Sequence, residues 1–298
     1  MFTDDRRRIG YVDPMATFTL LHLVLASVVC WATWRHIAAA MPSALKDARA
    51  DMNVQWEQIS VPLHMGRVHT RVGGCPSAPP VVFVHGFVLA GDYMMPAANR
   101  LSPFARIYVP DLPGYGLSDR PPHIDLHHLG DCLAEWMQQL KLSRAHFIAN
   151  SFGCQILVDF AIRYSELVQR LVLQGPTIDP AARSLGTQVL RLMKNSRIES
   201  PGLGRLMLRD YWRAGWRGIA ATVRMALSDR LESKLPHISA PTLVVRGSRD
   251  VLVPQGWAER IVRLLPKGHL LVLPGLAHTI NYTAPAIFID AIRPFLRL

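Results

Sequence analysis

Ser151 stands between two apolar runs of different period. Before it, His146-Phe147-Ile148 reads as a short buried strand ending at Asn150; after it, the apolar positions from Cys154 to Ala161 recur at helical spacing. Ala149 lies two residues before the serine and Gly153 two after. Small residues at both places are what a sharp strand-to-helix turn needs, because larger side chains would collide with the neighbouring strand and helix. Such a turn strains the serine backbone and lifts its hydroxyl above the sheet. The stretch is thereby committed to a strand followed by a helix, and Ser151 becomes a candidate nucleophile.

A serine hydroxyl is a weak nucleophile at neutral pH and needs a base, which in turn needs an orienting acid. Pro241 to Gly247 has a buried-strand pattern, and Ser248-Arg249-Asp250 follows its end. Leu270 to Leu273 is a further apolar run, followed by Pro274-Gly275-Leu276-Ala277-His278. Asp250 and His278 therefore occupy equivalent loops at the carboxyl ends of strands, where a parallel α/β sheet collects its ligands and catalytic groups. Val81 to Val84 reads as a central strand ending in His85-Gly86-Phe87. Backbone N–H groups of Phe87 and Phe152 could turn toward the same point and hold an oxyanion.

Strand and helix patterns alternate from Val54 onward, which predicts a mostly parallel sheet with helices on both faces. With half of its 298 residues hydrophobic, the chain can bury one large core. There is no Walker loop, no strand-borne Gly-x-Gly-x-x-Gly and no zinc-like spacing, so neither a metal nor an organic cofactor is expected. Cys30, Cys75, Cys132 and Cys154 are widely separated and read as reduced thiols.

Five motifs stand in one order: His85-Gly86-Phe87, Asp111 to Asp119, the Ala149 to Gly153 turn, Gly247 to Asp250, and Gly275 to His278. Together they resemble the α/β-hydrolases over roughly residues 54 to 298. The resemblance implies an α/β-hydrolase fold, with core segments 51–176 and 236–298 and a helical cap over 177–235. It also implies a triad of Ser151, Asp250 and His278, with Phe87 and Phe152 donating to the oxyanion. Ala149 replaces the usual Gly, and Cys154 stands where many members carry another Gly. The expected reaction is hydrolysis of a small hydrophobic ester through an acyl-enzyme. Asn150 before the serine is similar to the carbon–carbon hydrolases of ring-cleavage products, although Thr279 and Leu89-Ala90-Gly91 depart from that pattern. A hydrolase-fold binding protein without turnover is the reading from another class.

Other polar residues near these motifs have plainer readings. Ser118 is expected to stabilise its Gly-rich loop, Asp111 to hold that loop by Asx-type bonds, and His85 to orient backbone. His127 and His128 fall on a helix predicted from Asp125 to about Leu140. Within 177–235, helices are predicted over Leu185–Met193 and Gly218–Leu227. Met193, Leu203, Leu206, Met207, Leu208, Tyr211, Trp212, Trp216 and Met225 are candidates to line an apolar pocket, against the alternative of cap-to-core packing.

The net charge is +11, and Arg205, Arg209, Arg213 and Arg217 fall four apart. On a helix this makes a basic stripe, read first as a solvated face and second as a contact for anionic lipid headgroups. Nucleic acid is not an expected partner. In residues 1–50, Met15 to Trp34 carries no charged side chain and has the length of a bilayer span, behind Arg6-Arg7-Arg8. A membrane anchor is the first reading, which would make the protein membrane-associated. A signal peptide ending near Ala38-Ala39-Ala40, a start at Met15 and a packed helix in a cytoplasmic protein are the others.

Overall fold

The computed structural model describes residues 54–298, and the Met15–Trp34 segment lies outside them. Eight strands form one sheet: β1 (Glu57–Leu63), β2 (Gly66–Gly74), β3 (Pro80–Val84), β4 (Arg106–Pro110), β5 (Ala145–Asn150), β6 (Val168–Gln174), β7 (Thr242–Gly247) and β8 (Gly268–Leu273). Their order is β1-β2-β4-β3-β5-β6-β7-β8. β1 and β2 make an antiparallel hairpin, β2 meets β4 antiparallel, and every neighbour from β4 to β8 is parallel.

The helices are α1 (Met95–Leu101), α2 (Leu126–Gln139), α3 (Phe152–Arg163), α4 (Leu185–Ser196), α5 (Pro201–Ser228), α6 (Leu231–Lys234), α7 (Gln255–Leu264), α8 (Ile280–Thr283) and α9 (Pro285–Leu296). Side chains alternate across the pleat, so each central strand feeds two cores. Val82, Val84, Phe147, Ala149, Leu171 and Leu173 face one side, where Leu133 and Trp136 of α2, Phe160 of α3 and Trp257 of α7 cover them. Val81, Phe83, Ile148 and Val172 face the other, against Leu101 of α1 and Phe288 and Ile292 of α9. A parallel sheet buried on both faces explains why these strands read as unbroken apolar runs rather than as alternating ones.

Asp125 caps α2 by accepting from the His128 N–H at 2.8 Å, as the predicted helix start requires. The stretch between β6 and β7 is helical. α4 is capped by Ser184, whose hydroxyl accepts from the Thr187 N–H, and extends past the predicted Met193 to Ser196. α5 starts at Pro201, behind the Ser200 cap and 17 residues before the predicted Gly218. Its continuity is broken at Gly215, where φ is 64° and ψ is 171°. A glycine tolerates that conformation without strain, so the helix kinks there instead of ending. Among the described residues no helix is long and apolar enough to cross a membrane, and Cys75, Cys132 and Cys154 are free thiols.

Candidate active site

β5 delivers Ser151 and α3 begins immediately after it. Ser151 has φ 55° and ψ −121°, a left-handed conformation that a side-chain-bearing residue adopts only under strain. The strain is held from both sides by the Ser151 N–H donating to the Gln174 carbonyl at 2.9 Å and the Cys154 N–H donating to the Ser151 carbonyl at 3.0 Å. A Cβ on Gly153 would lie 2.5 Å from the His85 carbonyl oxygen, which is the close approach that the small flanking residue permits. Ala149 is fully buried, and its methyl is accommodated in the core on the α2–α3 side.

Asp250 and His278 come together above the same edge. The His278 Nδ1 lies 2.8 Å from Asp250 Oδ2, and both side chains are buried. The other Asp250 oxygen accepts the N–H groups of Leu252 at 2.8 Å and Val253 at 3.0 Å, which fixes the carboxylate plane. Burial alone would lower the His278 pKa. The Asp250 charge and hydrogen bond, with the Glu199 charge behind them, outweigh burial and raise it above the ordinary imidazole value. His278 Nε2 makes no hydrogen bond to a described residue, and it lines the same cavity as Ser151. Gly175, at φ +60°, makes room for the ring: a Cβ there would stand 2.7 Å from His278 Cε1.

Phe87 and Phe152 flank the serine. Phe152 opens α3, where a first-turn N–H has no intrahelical acceptor, and Phe87 sits on the turn closed by the Leu89 N–H to Gly86 carbonyl bond at 3.4 Å. Val88 in that turn has φ 54°, which is strained for a β-branched residue. It is buried against Tyr211 and Ile219 of α5, so the helical insertion presses on the turn that carries Phe87.

Sequence reasoning missed the residues that hold His278. Glu199, between α4 and α5, accepts the His278 N–H at 2.9 Å, the Thr279 N–H at 3.0 Å, the Asn195 amide at 3.1 Å and the Thr279 hydroxyl. The His278 carbonyl is held by the Asn150 amide at 3.4 Å and by the Gln174 amide. Asn150 in turn accepts from the Tyr93 hydroxyl at 2.5 Å. The only hint in the sequence was Asn150 itself, beside the serine.

The plainer readings fare unevenly. Ser118 donates to the Asp111 carbonyl at 2.6 Å and accepts from the His69 N–H at 2.9 Å, a loop tie. His85 accepts the Leu112 N–H at Nε2, at 2.9 Å. Asp111 is more than a local turn residue. It is fully buried, pairs with Arg71 at 2.9 Å and accepts the Gly91 N–H at 2.7 Å and the Leu117 N–H at 2.9 Å. Arg71 also meets Asp92, which Arg209 of α5 pairs at 2.7 Å.

Two apolar chambers meet at Ser151, sharing Phe87, Leu192 and Leu252. Both open to solvent and are lined mainly by apolar side chains, which suits an acyl or alkyl group. One is walled by Leu203, Met207 and Tyr211, spaced four apart along α5; the other by Ile178, Val189, Val223 and Leu227. Neither lining contains a Lys or Arg, and the first contains Glu199. The other pocket candidates line neither chamber, and Met225 follows the cap-to-core packing alternative. Leu208, Trp212 and Trp216 point to solvent, Met193 and Leu206 line neither chamber, and Met225 packs into the core. For Leu208 and Trp212 helical geometry is the reason: they lie about 120° round α5 from the face of 203, 207 and 211 and turn away from the cavity.

The family model for the alpha/beta hydrolase fold matches residues 79–201. The chain has the α/β-hydrolase fold. It is 26% identical to the 2-(acetamidomethylene)succinate hydrolase of Mesorhizobium japonicum over 80% of this chain and 95% of that one. It is 25% identical to the pimeloyl-[acyl-carrier protein] methyl ester esterase of Vibrio vulnificus over 73% of this chain and 94% of that one. The solved structure of a membrane phospholipase A superposes with a TM-score of 0.72 and 21% identity, covering 95% of this chain and 97% of that chain. This last likeness is one of fold.

Proposed function

We propose that this α/β-hydrolase cleaves carboxylic esters that carry apolar groups on both sides of the ester bond. The observation that carries the reading is the meeting of two apolar chambers at the strained Ser151, beside the buried His278–Asp250 pair. Ser151 Oγ attacks the ester carbonyl while His278 Nε2 takes its proton, and the oxyanion is held by the N–H groups of Phe87 and Phe152. The carbon–oxygen bond to the alcohol breaks as His278 returns the proton to the leaving oxygen. Water then attacks the acyl-enzyme, His278 again accepts the proton, and Ser151 is regenerated with release of the acid. Asp250 stays ionised and stabilises the imidazolium. Residues 177–235 act as a cap that supplies one wall of each chamber and excludes water.

The chamber linings weigh against carbon–carbon cleavage of ring-cleavage products. Those substrates are carboxylates, and a desolvated carboxylate needs a cation or several aligned donors. The chambers offer no Lys or Arg and place the Glu199 carboxylate in one wall. The Vibrio vulnificus relative, named a methyl ester esterase, adds support for the ester reading.

Labelling with a fluorophosphonate and turnover of a nitrophenyl ester panel test the proposal. Wild-type protein should label and hydrolyse apolar esters, and Ser151→Ala should fold normally and do neither. Labelling that persists in Ser151→Ala would place the nucleophile elsewhere, and a wild-type protein that neither labels nor turns over would point to a binding protein. Faster turnover of dienoate ring-cleavage products than of any ester would overturn the substrate class.

A further inference from the structure

The first stretch of α5 is apolar on two faces, and among the described residues only one of them has a partner. Leu203, Met207 and Tyr211 wall the chamber beside Ser151. On the outer side, Leu208 is 54% exposed and Trp212 is 87% exposed, one helical turn apart. Beyond the Gly215 kink, Trp216 is 55% exposed, with the Arg217 guanidinium over its ring at 5.2 Å. An outward Trp at that exposure forfeits its burial unless something covers it. Within α5, 201–228, five arginines stand against one acid, Asp210. Asp210 is buried and paired with Arg209, which leaves the predicted stripe broken at that position. Arg205, Arg213 and Arg217 make no ion pair among the described residues, so the outer face combines apolar rings with uncompensated positive charge.

We propose that this outer face of α5 docks on an anionic lipid bilayer. Trp beside Leu, flanked by Arg, is the pattern that seats a helix at the headgroup–acyl boundary, with the rings among the acyl ends and the guanidiniums on lipid phosphates. Charge complementarity selects this occupant. A second copy of the same face would bring like charges together, whereas an anionic leaflet attracts them. Because the other apolar face of the same helix walls the chamber at Ser151, docking would hold the cavity within one helix diameter of the lipid. The inference concerns the surface alone and stands whether or not Ser151 is the nucleophile.

The test uses the full-length chain with Cys30→Ser and Cys75→Ser, carrying an environment-sensitive fluorophore at Leu208→Cys or, as control, at Ile287→Cys, which is equally exposed on α9. Vesicles of phosphatidylcholine alone, or with phosphatidylglycerol, are titrated in. The label at 208 should brighten and shift to the blue with the anionic vesicles only, and the label at 287 should not respond. Any binding through Met15–Trp34 carries both labels to the same vesicles, so the difference between them reports the α5 face. In the 208-labelled protein, Trp212→Ser with Trp216→Ser, and separately Arg213→Glu with Arg217→Glu, should each raise the lipid concentration for half-maximal response about tenfold or more. A silent 208 label, equal responses to neutral and anionic vesicles, or a midpoint unmoved in both double variants would overturn the proposal. So would a response that appears with protein concentration in the absence of vesicles, which would identify a second copy as the occupant.

Discussion

Glu199 offers the sharpest test of how the helical insertion and the candidate triad depend on one another. Its carboxylate accepts from His278 and Thr279 N–H, from the Asn195 amide and from the Thr279 hydroxyl, with no cation among these partners. Glu199→Ala strands two buried backbone donors that have nowhere to turn. At about 1–3 kcal/mol for each unsatisfied donor, and with part of that offset by no longer desolvating a carboxylate, it should cost roughly 2–4 kcal/mol of stability. Glu199→Gln keeps an oxygen for the backbone donors and removes only the charge, so its cost should be about half as large. The two variants therefore separate hydrogen bonding from electrostatics. In the proposed mechanism His278 must be neutral to accept the Ser151 proton, and the Glu199 charge is one of the forces raising its pKa. Removing that charge lowers the pKa, so the acid limb of kcat/KM should move to lower pH in Glu199→Gln. The measurements are urea denaturation of both variants and the pH profile of ester hydrolysis by the Gln variant. An acid limb that stays in place, or an Ala variant as stable as the wild type, refutes this account of Glu199.

Four further outcomes follow from the same geometry. In wild-type protein the acid limb of kcat/KM should lie above the ordinary imidazole value, because Asp250 and Glu199 outweigh the opposing effect of burial on His278; a limb below it in the pH profile contradicts this. Asp250→Asn should cut turnover by roughly ten-thousandfold with little loss of stability, since the imidazole would hold the wrong tautomer. Asp111→Asn should do the reverse, costing about 1–3 kcal/mol in urea denaturation by leaving Arg71 with Asp92 as its one anionic partner, and the opposite ranking of the two variants would exchange their roles. Gly175→Ala should push the His278 ring aside and cost about 1–2 kcal/mol for a left-handed alanine; wild-type kcat in that variant would show that the ring position does not depend on the glycine.

The sequence by itself determined the order and placement of the parts. Ser151, Asp250 and His278 each follow an apolar run; the runs before Ser151 and Asp250 are buried on both faces and cannot alternate, so their ends are visible as the first polar turn, whereas the run before His278 is a half-buried edge strand that is unbroken all the same. The strands at Val81–Val84 and Thr242–Gly247 and the helix after Asp125 lie where local pattern put them, because period and capping act over a few residues. Tertiary structure decided what depends on which faces meet. Glu199 reaches His278 across 79 residues of chain, and nothing near either one announces the other. Asp111 looked like a turn residue and became the partner of Arg71, 40 residues away. Leu208 and Trp212 looked as fit for a pocket as Leu203 and Met207 did, since composition does not say which side of a helix turns inward. The docking of α5 on the Phe87 turn, fixed by Tyr211 and Ile219 against Val88 and by Arg209 on Asp92, chose that side. Periodicity reports which residues share a face, but only packing assigns each face a neighbour.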